Sequence, residues 1–179
     1  MIKSMEDTRN VIDKYKGLSH DEIVADLDAN DIGLHVAVEN TERDFNMGTI
    51  VRSANAFGVR HVHVVGRRQW NKRGAMMTDK YLHVHYYASV REFQAAMKIL
   101  GRIIIAIDNI EGSVDMASAD LPENAVLVFG QEGPGISDEL AAIAEKIVAI
   151  EQFGSTRSVN VGVAAGIVMY DWLRRHRLQ

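Results

Sequence analysis

Along most of the chain, short continuous apolar runs alternate with amphipathic stretches of about ten residues. Residues 34–38, 61–65, 102–107, 125–129 and 146–150 each form an apolar run bounded by polar or glycine-containing segments. Runs of that length, apolar at nearly every position, read as strands buried on both faces. Around them lie four stretches with helical spacing, one before the first run and three between the runs. Ser19 and Glu22 form a capping box ahead of a helix over 20–29, with Ile23, Val24 and Leu27 inward. A second helix over 47–57 turns Ile50, Val51, Ala54 and Phe57 inward, and Gly58 takes the position just past its end. A third over 90–100 buries Phe93, Met97 and Leu100, and a fourth over 138–144 is capped by Ser137. Residues 81–88 are compatible with a further extended stretch, and 1–18 look helical with weak periodicity. Strands alternating with helices predict an α/β fold, a parallel-sheet domain with helices on both faces. We assign residues 1–33 to an N-terminal helical arm and 34–179 to the main domain. In such sheets ligands bind beyond the carboxyl ends of the strands. The loops there begin at Glu39, Gly66, Asp108, Gly130 and Glu151.

The last of those loops leads into a helix with two apolar stripes. Val161, Ala164, Ala165, Val168, Met169 and Trp172 make one, and Val163, Gly166, Ile167, Tyr170 and Leu173 make the other. A helix apolar nearly all round is expected to be buried on several sides. The small residues Gly162, Ala164, Ala165 and Gly166 admit close approach of another backbone, in the core or from a partner chain. Ser158 or Asn160 is its natural N-cap.

Composition narrows the chemistry. The 179 residues are 47% hydrophobic and 25% charged, the profile of a folded domain rather than a disordered chain. With no cysteine there is no disulfide framework and no thiolate nucleophile or metal ligand. No apolar run approaches the ~20 residues that span a bilayer, so a cytoplasmic location is the expectation. The net charge of −4 is unevenly spread. Asp21, Glu22, Asp26, Asp28 and Asp31 crowd an acidic segment; Arg60, His61, His63, Arg67, Arg68, Lys72 and Arg73 crowd a basic one; Arg174, Arg175, His176 and Arg177 lie near the C-terminal end.

Three constellations could carry chemistry. Asn46 precedes the second helix and Arg52 follows one and a half turns later, as a structural ion-pair partner or an anion binder. The sequence Gly130-Gln131-Glu132-Gly133-Pro134-Gly135 is neither a Walker loop nor a dinucleotide fingerprint. Its glycines still allow close backbone approach to a ligand, and Glu132 is its only ionisable side chain. Arg157-Ser158-Val159-Asn160 gathers a cation, a hydroxyl and an amide at a helix start. A serine-based triad is not supported: no GxSxG surrounds any serine, and His83, His85 and His176 stand in no supporting motif. The seven histidines show no metal-binding spacing, so no metal is expected and they read as solvated or ordinarily satisfied.

Taken in order and spacing, residues 46–59, 127–137 and 157–165 resemble the three motifs of the SpoU/TrmH-type RNA ribose 2′-O-methyltransferases of the SPOUT superfamily. The resemblance covers roughly residues 34–175. It implies a C-terminal trefoil knot, S-adenosylmethionine as methyl donor, a transfer-RNA or ribosomal-RNA substrate, and a homodimer packed through the final helix. By position it implies catalytic roles for Asn46, Arg52, Glu132, Ser158 and Asn160. It implies cofactor contacts at Ile107, Gly130, Glu132, Ile150, Ser158 and Val159. RNA contacts are expected at Arg52, Arg67, Arg68, Trp70, Lys72, Arg73 and Arg157, with cations on phosphates and the indole on a base. The family casts the motif arginine as a base. A guanidinium with a pKa above about 12 seldom releases a proton, so gripping a phosphate and stabilising the developing alkoxide suits Arg52 better. Two features depart from the commonest pattern: only about 33 residues precede the first strand, and Ser-Val-Asn replaces Ser-Leu-Asn. A non-catalytic RNA-binding or assembly protein, and a small-molecule enzyme, are the competing readings.

Overall fold

A computed structural model describes residues 7–41 and 46–178. Seven strands form one sheet, β1 (His35–Asn40), β2 (His61–Gly66), β3 (His83–Tyr87), β4 (Ile103–Ile107), β5 (Val114–Asp115), β6 (Ala125–Phe129) and β7 (Lys146–Ala149). Every pairing is parallel, in the order β3-β2-β1-β6-β4-β7-β5. The helices are α1 (His20–Ala29), α2 (Met47–Ala56), α3 (Val90–Ile99), α4 (Asp138–Ile143) and α5 (Val161–His176). All five expected strands are present. The extended stretch is β3, which joins the sheet edge beside β2. The two-residue β5 was missed because its run is too short to show a period.

Alternate residues of the central strands point to opposite faces. Val36, Val38, Leu127 and Phe129 belong to a core shared with α2 and α5, through Ile50, Val51, Val168 and Trp172. Ala37, Val126 and Val128 face the other way, into a second core with Phe93 and Met97 of α3 and Leu140 of α4. The strands are thus covered on both sides, which is why they read as continuous apolar runs.

Several caps are as the sequence dictates. Ser19 and Glu22 make a reciprocal capping box, and Ser137 Oγ accepts from the Leu140 amide. Four expectations need correction. Leu100 is exposed, because α3 ends at Ile99 and Leu100 is its cap. The helix expected over 1–18 is, among the described residues, only a 3-10 turn at Asp13–Tyr15; residues 1–6 lie outside the description. Trp70 is only 8% exposed and packs in the α2/α5 core. Finally, α5 buries one stripe only: Val168, Met169 and Trp172 are enclosed, whereas Val163, Ile167 and Tyr170 are 53%, 38% and 50% exposed.

The N-terminal segment is tied to the sheet by charge. Asp28 at the end of α1 accepts from Arg60 Nε at 2.8 Å and meets His83 Nε2 at 2.8 Å. Arg60 itself is buried. No helix of the described residues is long and apolar enough to cross a membrane.

Candidate functional site

The C-terminal ends of β4, β6 and β7 open into loops that close around one cavity of about 370 Å³. That volume is within the ~300–1,000 Å³ typical of small-molecule sites. Its walls include Ile107, Gly130, Glu132, Ile150, Ser158 and Val159, the six positions singled out from the motifs for a cofactor. Asn160 lines it as well.

The glycine-rich loop after β6 doubles back on itself. Gln131 and Gly135 exchange two backbone hydrogen bonds of 3.0 and 3.1 Å. This turn brings Gly135 so close that a Cβ on Gly130 would lie 2.2 Å from its carbonyl carbon. Gly135 has φ +74°, and a Cβ there would meet Asp108 Oδ2 at 2.3 Å. Neither site tolerates a side chain. Asp108, at the end of β4, holds the loop by accepting from the Ile136 amide at 2.8 Å. Buried Glu39, at the end of β1, accepts from the Ser137 amide at 2.8 Å.

At the mouth of the cavity three side chains from three loops are hydrogen-bonded together. Asn160 is the N-cap of α5, and its Oδ1 accepts from the Gly162 and Val163 amides. That use of the oxygen turns its Nδ2 the other way, where it donates to Asn46 Oδ1 at 3.1 Å and more weakly to Glu132 Oε1 at 3.5 Å. Asn46 Nδ2 in turn donates to Glu132 Oε2 at 2.9 Å. Asn46 therefore sits at the N-terminus of α2 without capping it: its side chain makes no cap bond and is committed to Glu132. Residues 86 and 114 positions apart in the sequence converge here.

Not every motif residue joins them. Ser158 is exposed on the cavity wall. Arg52 lies on the exposed side of α2, is absent from the cavity wall, and makes no hydrogen bond or ion pair with a described residue. Arg157 is exposed, and its carbonyl accepts from Asn109 Nδ2 at 3.3 Å. In the basic segment, Asn40 Nδ2 donates to the carbonyls of Arg67 and Gln69 and fixes where that loop leaves β2. Arg68 lies over the Tyr86 ring at 4.7 Å. Lys72 pairs with Asp79 at 2.7 Å and lies over the Trp70 ring at 5.4 Å. Arg73 is exposed. The indole of Trp70 is thus part of the platform under the basic segment rather than an open face for a base, which corrects the expectation placed on it.

The structure adds three wall residues that the motifs did not indicate: Asp108, Asn109 and Gln152. The signal for the first two was positional, directly after β4. Gln152 is notable because its Oε1 is buried and has no hydrogen-bond partner among the described residues. A buried acceptor left unpaired costs about 1–3 kcal/mol unless a ligand satisfies it. Glycine walls that no side chain could share and an unpaired acceptor both fit a ligand rich in hydrogen-bond donors.

Comparison with known proteins gives consistent results. The chain is 28% identical over 147 residues to a tRNA (guanosine(18)-2′-O)-methyltransferase of Escherichia coli, covering 80% of this chain and 64% of that protein. It thus spans less than two thirds of that relative's length. Among solved structures, the TrmH/SpoU tRNA modifying enzyme of A. aeolicus superposes with a TM-score of 0.75 at 26% identity, covering 87% of this chain and 83% of that one. An AdoMet-bound rRNA methyltransferase from Sinorhizobium meliloti gives 0.73 at 28% identity, covering 83% and 58%. The model of the SpoU rRNA Methylase family matches residues 33–170, and the chain belongs to that family.

Proposed function

We propose that this protein is an S-adenosylmethionine-dependent methyltransferase that methylates a ribose 2′-hydroxyl in transfer RNA or ribosomal RNA. The observation that carries this reading is the hydrogen-bonded group of Asn46, Glu132 and Asn160 at the mouth of the glycine-walled cavity. The family match and the activities printed for its relatives support it.

S-adenosylmethionine, when bound, supplies a methyl group on a sulfonium. Ile107, Gly130, Ile150 and Val159 would hold it, with Glu132 and Ser158 at the edge where donor and ribose meet. The unpaired Gln152 Oε1 can accept from one of its N–H or O–H groups. Asn46 and Asn160 hold the Glu132 carboxylate in one orientation, so the ribose meets a prearranged polar edge. Holding reactants in line contributes several kcal/mol. The serine hydroxyl of Ser158 can orient the 2′-oxygen. Arg52 stands outside this group, on the outer side of α2. From there it acts on the substrate rather than on the cofactor, gripping the phosphate next to the target ribose. Arg67, Arg68, Lys72, Arg73 and Arg157 extend the cationic surface that RNA phosphates require.

The exposed stripe of α5 supports a homodimer packed through that helix, because Val163, Ile167 and Tyr170 are only partly covered by the described residues. Our reading of 34–179 as a SPOUT domain with its C-terminal segment knotted is supported by the family match and is compatible with β7 lying between β4 and β5 in the sheet. Residues 1–33 form the arm ahead of it. A cytoplasmic location follows from an RNA substrate.

The test is mass spectrometry of nucleosides from RNA of a strain lacking the protein. Loss of one 2′-O-methylated nucleoside, restored by purified protein with labelled S-adenosylmethionine, is the expected result. An unchanged nucleoside profile, with no label transferred in vitro, rejects the reading.

A further inference from the structure

Among the described residues the most exposed large apolar side chain is Phe153, at 99%. It stands in the loop between β7 and α5, and the loop is fixed at both shoulders. On one side Glu151 Oε1 accepts from the Ala117 amide at 2.8 Å, and Gln152 turns into the cavity wall. On the other, Arg157 O accepts from Asn109 Nδ2, and Ser158, Val159 and Asn160 return to the same wall. Between these anchors residues 153–156 are all exposed. A Cβ placed on Gly154 would meet nothing within 4 Å. The chain therefore holds an exposed aromatic ring in a loop whose flanking residues Gln152 and Ser158 line the proposed methyl-transfer cleft, four residues from the exposed Arg157.

An exposed aromatic and an exposed arginine on one anchored loop have the chemistry that takes up single-stranded RNA. The ring stacks on an unpaired base and the guanidinium meets the neighbouring phosphate. The sequence suggested Trp70 for this purpose, but Trp70 is enclosed in the core beneath Lys72. We infer that Phe153 is the base-stacking platform of this protein, holding an unpaired nucleotide next to the ribose presented in the cleft. This rests on the RNA-methylating function proposed above. Because the shoulders are already held, little further ordering of the loop is needed when a base arrives. Stacking on a flat ring tolerates any base, so Phe153 contributes affinity and placement of the nucleotide rather than its identity.

The experiment compares Phe153→Ala, Phe153→Leu and Phe153→Trp with the unaltered protein. The probes are the small-RNA and ribosomal-RNA fractions from a strain lacking the protein, at one fixed salt concentration. RNA affinity, S-adenosylmethionine affinity by calorimetry and sedimentation are measured on each. Expected is about a 5- to 100-fold loss of RNA affinity for the alanine variant. The leucine variant should stay weak, the tryptophan variant should equal or exceed the original, and cofactor affinity and sedimentation should not change. The inference is overturned if the alanine variant binds RNA within twofold of the original. It is overturned equally if leucine serves as well as tryptophan, since apolar contact without stacking is then enough. A change in sedimentation would place Phe153 between two copies of the chain instead. If the unaltered protein binds the cofactor but neither RNA fraction, the RNA-methylating function itself fails, a result distinct from the failure of Phe153 alone.

Discussion

Five of the seven histidines stand together on the α3 face of the sheet, and four of them, His35, His61, His63 and His85, make the stability of this fold sensitive to acid. His35 of β1 registers with His61 of β2, and His61 with His83 of β3; one step along, His63 registers with His85. Their rings stack at centroid distances of 4.5 to 5.3 Å. His35 Nδ1 and His63 Nε2 are 2.9 Å apart, His61 Nδ1 and His85 Nε2 3.0 Å, and His63 Nδ1 meets the Tyr87 hydroxyl at 3.1 Å. Each imidazole–imidazole bond needs one donor and one acceptor, so both rings of a pair cannot be charged. Burial pushes His35 down to about 2 and His63 down to about 3, with Arg102 adding repulsion at His35 and His85 at His63. The same cause lowers His61 and His85, and only Asp31 pulls His61 the other way. In the unfolded chain each histidine titrates near 6.5. These groups therefore leave stability intact above about pH 6.5 and subtract from it as pH falls, because the unfolded state then binds protons the folded state refuses. At ~1.4 kcal/mol per pH unit per group, His35 and His63 together remove about 5 kcal/mol between pH 6.5 and 4.5. That is comparable to the whole stability of many domains. Urea unfolding at half-unit steps from pH 7.5 to 4.5 should show a slope approaching ~2.7 kcal/mol per pH unit from this pair. The His35 and His63 ring resonances should not titrate between pH 8 and 5. A pH-independent midpoint, or either ring titrating near 6.5, refutes the reasoning.

Three further outcomes are expected. Arg52→Ala should abolish methyl transfer to RNA while S-adenosylmethionine affinity by calorimetry stays within about twofold, since Arg52 is absent from the cavity wall; lost cofactor binding in a folded variant would count against its assigned role. Gly135→Ala forces a side chain onto Asp108 at φ +74°, so cofactor affinity should drop, and the melting midpoint should fall by an amount reflecting ~1–3 kcal/mol of strain. Tyr170→Asp, at a half-exposed position on the free stripe of α5, should leave the monomer folded and lower the sedimentation coefficient to that of a single chain; unchanged sedimentation would remove α5 from the interface.

The division between what the sequence disclosed and what it hid follows from where each contact is encoded. Strand and helix positions are local and periodic, so the continuous apolar runs and the Ser19 and Ser137 caps were legible. The cleft was legible only as motifs. Spacing alone gave no reason for Asn46 to leave its own helix uncapped, because its partner Glu132 lies 86 residues away. The histidine stack escaped for the same reason. Alternation within β2 and β3 puts His61 with His63 and His83 with His85 on one face, but only the parallel register brings the two pairs together. Exposure was the least legible property. Trp70 and Phe153 are both aromatics in polar loops, and sequence favours the one flanked by cations. Trp70 is a member of the core that includes residues of α2, α5 and the sheet, whereas Phe153 sits on a loop held at its shoulders. The apolar stripe of α5 carries the same lesson one level higher. A helix apolar all round implies cover on several sides, yet among the described residues Val163, Ile167 and Tyr170 stay partly exposed while Val168, Met169 and Trp172 are enclosed, a difference set by tertiary packing that the periodicity of α5 does not encode.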